Sequence, residues 1–153
     1  MASEKLNVTI IDDDFIYVKV LSERLGQNAA IKVAQYASGE DCLSNLDQAI
    51  PKIVITDYYL NSQNVSAING SELLKRLRTL YPGLAVIVVS GRADLSSASK
   101  TQNLFDALEI NPTGVQKLFD EGAFFYVMKD RHAPEKIFEI VDVLVRKVYH
   151  QQS

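Results

Sequence analysis

The stretch NVTIIDDDF, residues 7–15, decides the fold. Val8, Thr9, Ile10 and Ile11 are β-branched, the residue type that fits a pleated strand. They run on without polar alternation, as in a strand covered on both faces. Asp12, Asp13 and Asp14 then end the run abruptly. Three adjacent carboxylates repel one another and have no place in a core unless a positive charge offsets them. The chain is therefore expected to leave its sheet at this point, with something cationic beside the acids.

The same device recurs down the chain. The runs 6–11, 31–37 (IKVAQYA), 52–56 (KIVIT), 84–89 (LAVIVV) and 123–128 (AFFYVM) are short and rich in Val, Ile and aromatics. All but the second are nearly continuous in apolar residues. Helical patterns separate them. The segment 15–26 carries Ile16, Val20 and Leu21 at helical spacing, and 71–81 carries Leu73, Leu74, Leu77 and Leu80. The last segment repeats Ile137, Ile140, Val141, Leu144 and Val148 at steps of three and four, with Pro134 at its start. Strands alternating with helices predict an α/β fold of the flavodoxin-like, doubly wound kind. Its five-stranded parallel sheet, of assumed order 2-1-3-4-5, carries helices on both faces.

Composition bounds the rest. At 153 residues the chain fits one domain with a real core, and 47% apolar against 23% charged residues is an ordinary folded balance. A net charge of −3 gives no general attraction to nucleic acid or anionic membrane, so neither is an expected partner. No apolar run approaches the roughly 20 residues of a membrane span. The segment MASEKLN lacks the apolar centre of an export signal, and a cytoplasmic location is expected. The single cysteine, Cys42, reads as a core thiol.

The chemistry lies at the strand ends. The first strand ends in Asp12 and Asp13, the third in Asp57, the fourth in Ser90 and the fifth in Lys129, while the second ends in the blander Ser38-Gly39. In an open parallel sheet the ligand crevice lies beyond these ends, where strand order reverses. With strands one and three as neighbours, Asp12, Asp13 and Asp57 meet at the reversal. Oxygen donors without His or Cys favour a hard cation such as Mg²⁺. A lysine and a hydroxyl nearby suit the oxygens of a transferred phosphoryl group, and a carboxylate can itself accept that group.

At these residues the chain resembles the receiver domain of two-component response regulators, of the stand-alone chemotaxis type. The matching pieces are IIDDDF, IVITDYYL, NGSELLKRLR, VIVVSGR and EGAFFYVMKD. The resemblance implies that Asp57 takes a phosphoryl group from a histidine kinase or phosphotransfer protein. It implies that Asp12, Asp13, Asp57 and the backbone carbonyl of Tyr59 serve Mg²⁺, and that Ser90 and Lys129 contact the phosphoryl oxygens. Tyr126 corresponds to a switch aromatic that moves with the Ser90 loop. The output is then an altered face made by the fourth helix, fifth strand and fifth helix, which controls binding of a downstream protein. Such a protein is a phosphoacceptor rather than an enzyme, limited to self-catalysed phosphotransfer and dephosphorylation. The last helical pattern runs almost to Ser153, so a single receiver domain over 1–153 with no output domain is expected.

Departures from the family pattern accompany the match. Asp130 follows the lysine where proline is usual, and Asn61 replaces another usual proline ahead of a long polar loop, 61–69. Between Ser90 and Lys129 the chain carries an insertion, 95–111, before or within the fourth helix. Its Leu104, Phe105 and Leu108 form a small apolar stripe. The plain reading is a helical excursion packed on its own domain. The sharper one is a docking surface for a partner or a second copy, alongside a homodimer through the output face. Tyr59 and Arg92, each two residues past a site position, are bulky enough to impede attacking water, so slow self-dephosphorylation is expected.

Two rival functions fit parts of the pattern. A haloacid-dehalogenase-like phosphatase would use Asp12 as nucleophile with Asp14, a strand-end serine and a lysine. It leaves Asp57 unexplained, and the acids after Asp130 fall inside a helix. A receiver-like adaptor that is never phosphorylated would have no use for the complete acidic set. Asp14 itself is expected to be solvated or to cap the first helix.

Overall fold

The computed structural model describes residues 5–46, 50–57, 70–90 and 125–152. Along the chain these form β1 (Leu6–Ile11), α1 (Phe15–Leu25), β2 (Ile31–Tyr36), α2 (Gly39–Ser44) and β3 (Ile53–Asp57). They are followed by α3 (Gly70–Leu80), β4 (Ala85–Ser90), β5 (Phe125–Met128) and a last helix, α4 (Ala133–Gln152). The five strands make one sheet in the order β2-β1-β3-β4-β5, every pairing parallel. This is the expected doubly wound topology.

Side-chain parity divides the strands between two cores. Leu6, Val8, Ile10, Ile53, Ile55, Ile87, Val89, Phe125 and Val127 belong to one cluster, with Val18, Leu21 and Leu25 of α1 and Ile137, Ile140, Val141 and Val145 of α4. Ile11, Val54, Val86 and Val88 belong to the other, with Cys42 of α2 and Leu73, Leu74 and Leu77 of α3. Successive strand residues point to opposite faces, so a strand used on both sides must be apolar at every position. That requirement explains the unbroken runs in the sequence. Fully burying each aliphatic side chain stabilises the fold by roughly 1.5–3 kcal/mol relative to exposure.

Helix α1 departs from the face suggested by its sequence. Ile16 and Val20 are exposed, at 75% and 49%, and the buried stripe is Val18, Leu21 and Leu25. The segment is apolar around most of its circumference, so periodicity alone could not choose the face that meets the sheet. Leu80, read as part of the α3 stripe, is likewise exposed at the last position of that helix. The short α2 drew no attention in the sequence because six residues give no period to read. Ser38 starts it by accepting a hydrogen bond from the Asp41 amide at 3.1 Å. In α4, Pro134 occupies the first turn, where its missing N–H costs nothing.

Candidate functional site

Register sets the site. Ile11 pairs with Tyr36 on one side and Thr56 on the other, Asp57 with Val89, and Ser90 with Met128. The strands therefore end nearly level, and the residues just beyond them share one rim. Parity does the rest. Asp12 continues the series Val8, Ile10; Asp57 the series Ile53, Ile55; Lys129 the series Phe125, Val127. All three continue the α1–α4 side of the sheet.

Carboxylate oxygens of Asp12, Asp13 and Asp57 lie within 4.8 Å of one another. Lys129 reaches into the group from the far strand. Its Nζ is 2.8 Å from Asp12 Oδ2, 3.4 Å from Asp57 Oδ2 and 3.9 Å from Asp14 Oδ2. Asp12 is buried and accepts a second hydrogen bond, from the Asp14 amide at 2.8 Å. Asp14 takes the capping role: its Oδ1 accepts from the Tyr17 amide at 3.1 Å, which starts α1. It also stands at the fringe of the site.

The electrostatics are unbalanced. Burial pushes the Asp12 carboxyl above its ordinary value, and the Asp57 charge adds to the effect. The hydrogen bonds from Lys129 and the Asp14 amide oppose the rise without reversing it. Burial would lower Lys129, but its hydrogen bond to Asp12 and the charges of Asp12 and Asp57 outweigh that, so its pKa is raised. The two directions look contradictory for one ion pair. They agree because the lysine meets several carboxylates, whereas those carboxylates share a single ammonium. The cluster is short of positive charge.

A divalent cation fits that deficit. The donors are all carboxylate oxygens, the set favoured by Mg²⁺ over softer metals. A cavity of about 170 Å³, lined in part by Asp12, Asp13 and Tyr36, opens beside two of the three donors. The residues present thus suit the ion implied by the sequence.

A family model for the response regulator receiver domain matches residues 8–105. The chain belongs to that family. Among curated relatives, this receiver is 27% identical over 144 residues to the DNA-binding transcriptional regulator NtrC of Klebsiella pneumoniae, covering 94% of this chain and 25% of the relative. It is 28% identical over 119 residues to the putative two-component response regulator ARR21 of Arabidopsis thaliana, covering 75% of this chain and 18% of that one. The chain spans at most about a quarter of the length of these two relatives. Among solved structures, the CheY-like receiver domain protein of Methanospirillum hungatei JF-1 superposes with a TM-score of 0.71 at 21% identity, covering 97% of this chain and 99% of that one. That family is distinct from the haloacid-dehalogenase-like phosphatases considered as an alternative.

The remaining expected positions divide by what the structure describes. Ser90 ends β4 and Tyr126 lies within β5 opposite Val88; their side chains lie outside the described set. Tyr59, Arg92, the 61–69 loop and the 95–111 insertion with Phe105 also lie outside the described residues. His132 is exposed, and its amide donates to Asp130 Oδ1 at 2.8 Å. Among the described residues, no helix is long and apolar enough to cross a membrane.

One residue at the site escaped the sequence reading. Tyr17 of α1 places its ring under Lys129, with Nζ 4.7 Å from the ring centroid. A tyrosine in a mostly apolar helix reads as core, and only the α1 phase together with the β5 register brings the two residues together.

Proposed function

We propose that this receiver is phosphorylated on Asp57 in a Mg²⁺-dependent reaction, taking the group from a histidine kinase or phosphotransfer protein. The observation carrying this reading is the meeting of Asp12, Asp13 and Asp57 within 4.8 Å, with the Lys129 ammonium 3.4 Å from Asp57. Asp57 is the acid at the centre of the rim, on the strand between β1 and β4. Its carboxylate oxygen forms the bond to phosphorus as the donor N–P bond breaks, the electron pair leaving with the imidazole nitrogen. Asp12, Asp13 and Asp57, with the Tyr59 carbonyl, would hold the ion, which when bound offsets the charge gathered by the incoming phosphoryl group. Lys129 supplies a point charge to the phosphoryl oxygens and the Ser90 hydroxyl a hydrogen bond.

The output follows from the same contacts. Drawing Ser90 toward the phosphoryl group shifts the end of β4, and Tyr126 on the neighbouring strand follows. The surface that changes is the output face the family resemblance implies, to which β5 and α4 contribute, and a downstream protein or a second copy reads it. Two packings differing by a few kcal/mol are enough for such a switch, because the new phosphate contacts favour one of them.

Incubation with acetyl phosphate and Mg²⁺, followed by peptide mapping of the acyl phosphate, tests the assignment. The label is expected on Asp57, with none in Asp57→Asn. Label on Asp12 would instead favour the phosphatase chemistry, and no label on any acid the constitutive adaptor.

A further inference from the structure

Lys129 has an ambiguous position. Three carboxylates lie within 3.9 Å of its ammonium, and the shortest pairing is with Asp12 rather than with Asp57. Ion pairing alone would let the side chain settle on Asp12 or swing to the half-exposed Asp14. A cation held by Asp12 would also compete with the lysine for its shortest partner. Something that does not compete for that carboxylate must keep the ammonium beside Asp57.

We propose that Tyr17 is the positioning residue for Lys129, its ring face holding the ammonium over the acceptor carboxylate. Nζ lies 4.7 Å from the ring centroid, inside the ~6 Å range of a cation–π contact. Lys129 is largely shielded, its side chain 19% exposed, and partial desolvation strengthens such a contact. The ring is itself fixed. Tyr17 packs against the core cluster shared by α1, α4 and the sheet, and its backbone sits in the first turn of α1 capped by Asp14. Its hydroxyl is buried and has no hydrogen-bond partner among the described residues, and the contact with Lys129 is made by the ring. Burial, with the charges of Asp12, Asp57, Asp130 and Asp14, pushes the phenol well above its ordinary value and keeps it neutral. A neutral π face attracts the ammonium without adding another anion to an overcharged cluster.

The inference rests on the phosphoacceptor reading above, and the test separates the two. Quenched-flow phosphorylation by acetyl phosphate at saturating Mg²⁺ is measured first for the unmodified protein and Asp57→Asn; incorporation that survives in Asp57→Asn overturns the acceptor assignment, not the contact. Tyr17→Phe, which keeps the ring, is expected to match the unmodified rate within about twofold, whereas Tyr17→Leu and Tyr17→Met slow it about three- to tenfold. In a Lys129→Met background the same Tyr17→Leu change is expected to alter the rate by less than about twofold, because its effect runs through the lysine. Equal slowing in both backgrounds, or none in either, overturns the proposal. A second cycle needs no metal and no phosphoryl donor. In urea unfolding with EDTA, Tyr17→Leu and Lys129→Met are expected to be coupled by a factor of about three or more in the unfolding constant. Additive effects there overturn the contact even if phosphorylation fails for other reasons.

Discussion

Replacing Asp12 with asparagine is expected to stabilise the metal-free protein while removing much of its response to Mg²⁺. Asparagine keeps the shape and an acceptor oxygen but removes the charge. In the folded state that charge has one cationic partner, Lys129 at 2.8 Å, and two anionic adversaries, Asp13 and Asp57, each within 4.8 Å; the hydrogen bond from the Asp14 amide is one that an asparagine oxygen can still accept. At an effective dielectric constant near 20, the attraction is about 6 kcal/mol and each repulsion at least about 3.5 kcal/mol. The pairwise terms therefore nearly cancel, with repulsion slightly ahead. Desolvation of a carboxylate that is only 4% exposed then decides the sign against the charged form. A gain of about 1 kcal/mol is the reasonable scale, which for a chain this long raises the midpoint by about 2–4 °C. With Mg²⁺ the order should change. A ligand at 100 times its dissociation constant stabilises the native state by about 2.7 kcal/mol, and Asp12→Asn forfeits much of that by removing a charged donor. Thermal or urea unfolding of both proteins, in EDTA and at 10 mM or so of Mg²⁺, tests the expected crossing. A clear loss of stability for Asp12→Asn in EDTA would show that the Lys129 ion pair dominates the cluster, and the account of an overcharged site would fail.

Two further predictions concern parts away from the acids. Cys42 is fully buried, and burial pushes its thiol up to about 11, so at pH 8 a thiol reagent should react only as fast as the protein opens; prompt stoichiometric labelling of the native protein would contradict this packing. Arg24 of α1 grips Glu135 of α4 through a two-pronged contact and lies 3.8 Å over the Phe138 ring, and this pairing holds the Glu135 carboxyl below its ordinary value. A depressed folded pKa means that the stabilisation is present above the unfolded value of 4.5 and is lost as pH falls through the folded one. Glu135→Gln should therefore lower the melting temperature at pH 7, with the gap from the unmodified protein narrowing below pH 4.5 or so; a gap independent of pH would assign the effect to packing.

Strand identity was legible because the cause is local. A two-faced strand must be apolar at each residue, and β1, β3 and β4 carry that requirement openly. The break from VTII to three acids marked the sheet edge for the same reason. The buried face of α1 was not legible, because Phe15, Ile16, Val18, Val20 and Leu21 spread apolar side chains around most of the helix and leave only a narrow polar side at Lys19 and Glu23. Helix α2 was missed because one capping serine and six residues make too weak a periodic signal. Asp14 could be read as a cap, but its 3.9 Å approach to Lys129 could not.

By itself the sequence determined which residues end the strands and what chemistry they offer: acids on β1 and β3, a hydroxyl on β4, an amine after β5. These follow from propensity, patterning and capping over a few residues. Tertiary structure alone decided the distances among them. Parallel register and strand parity turn Asp12, Asp57 and Lys129 toward one side, and the phase of α1 slides the Tyr17 ring beneath the lysine. Such placements depend on pairings between segments as far apart as Asp12 and Lys129, 117 residues along the chain. No local pattern records them, because the energy that sets them is released only when the distant segments pack.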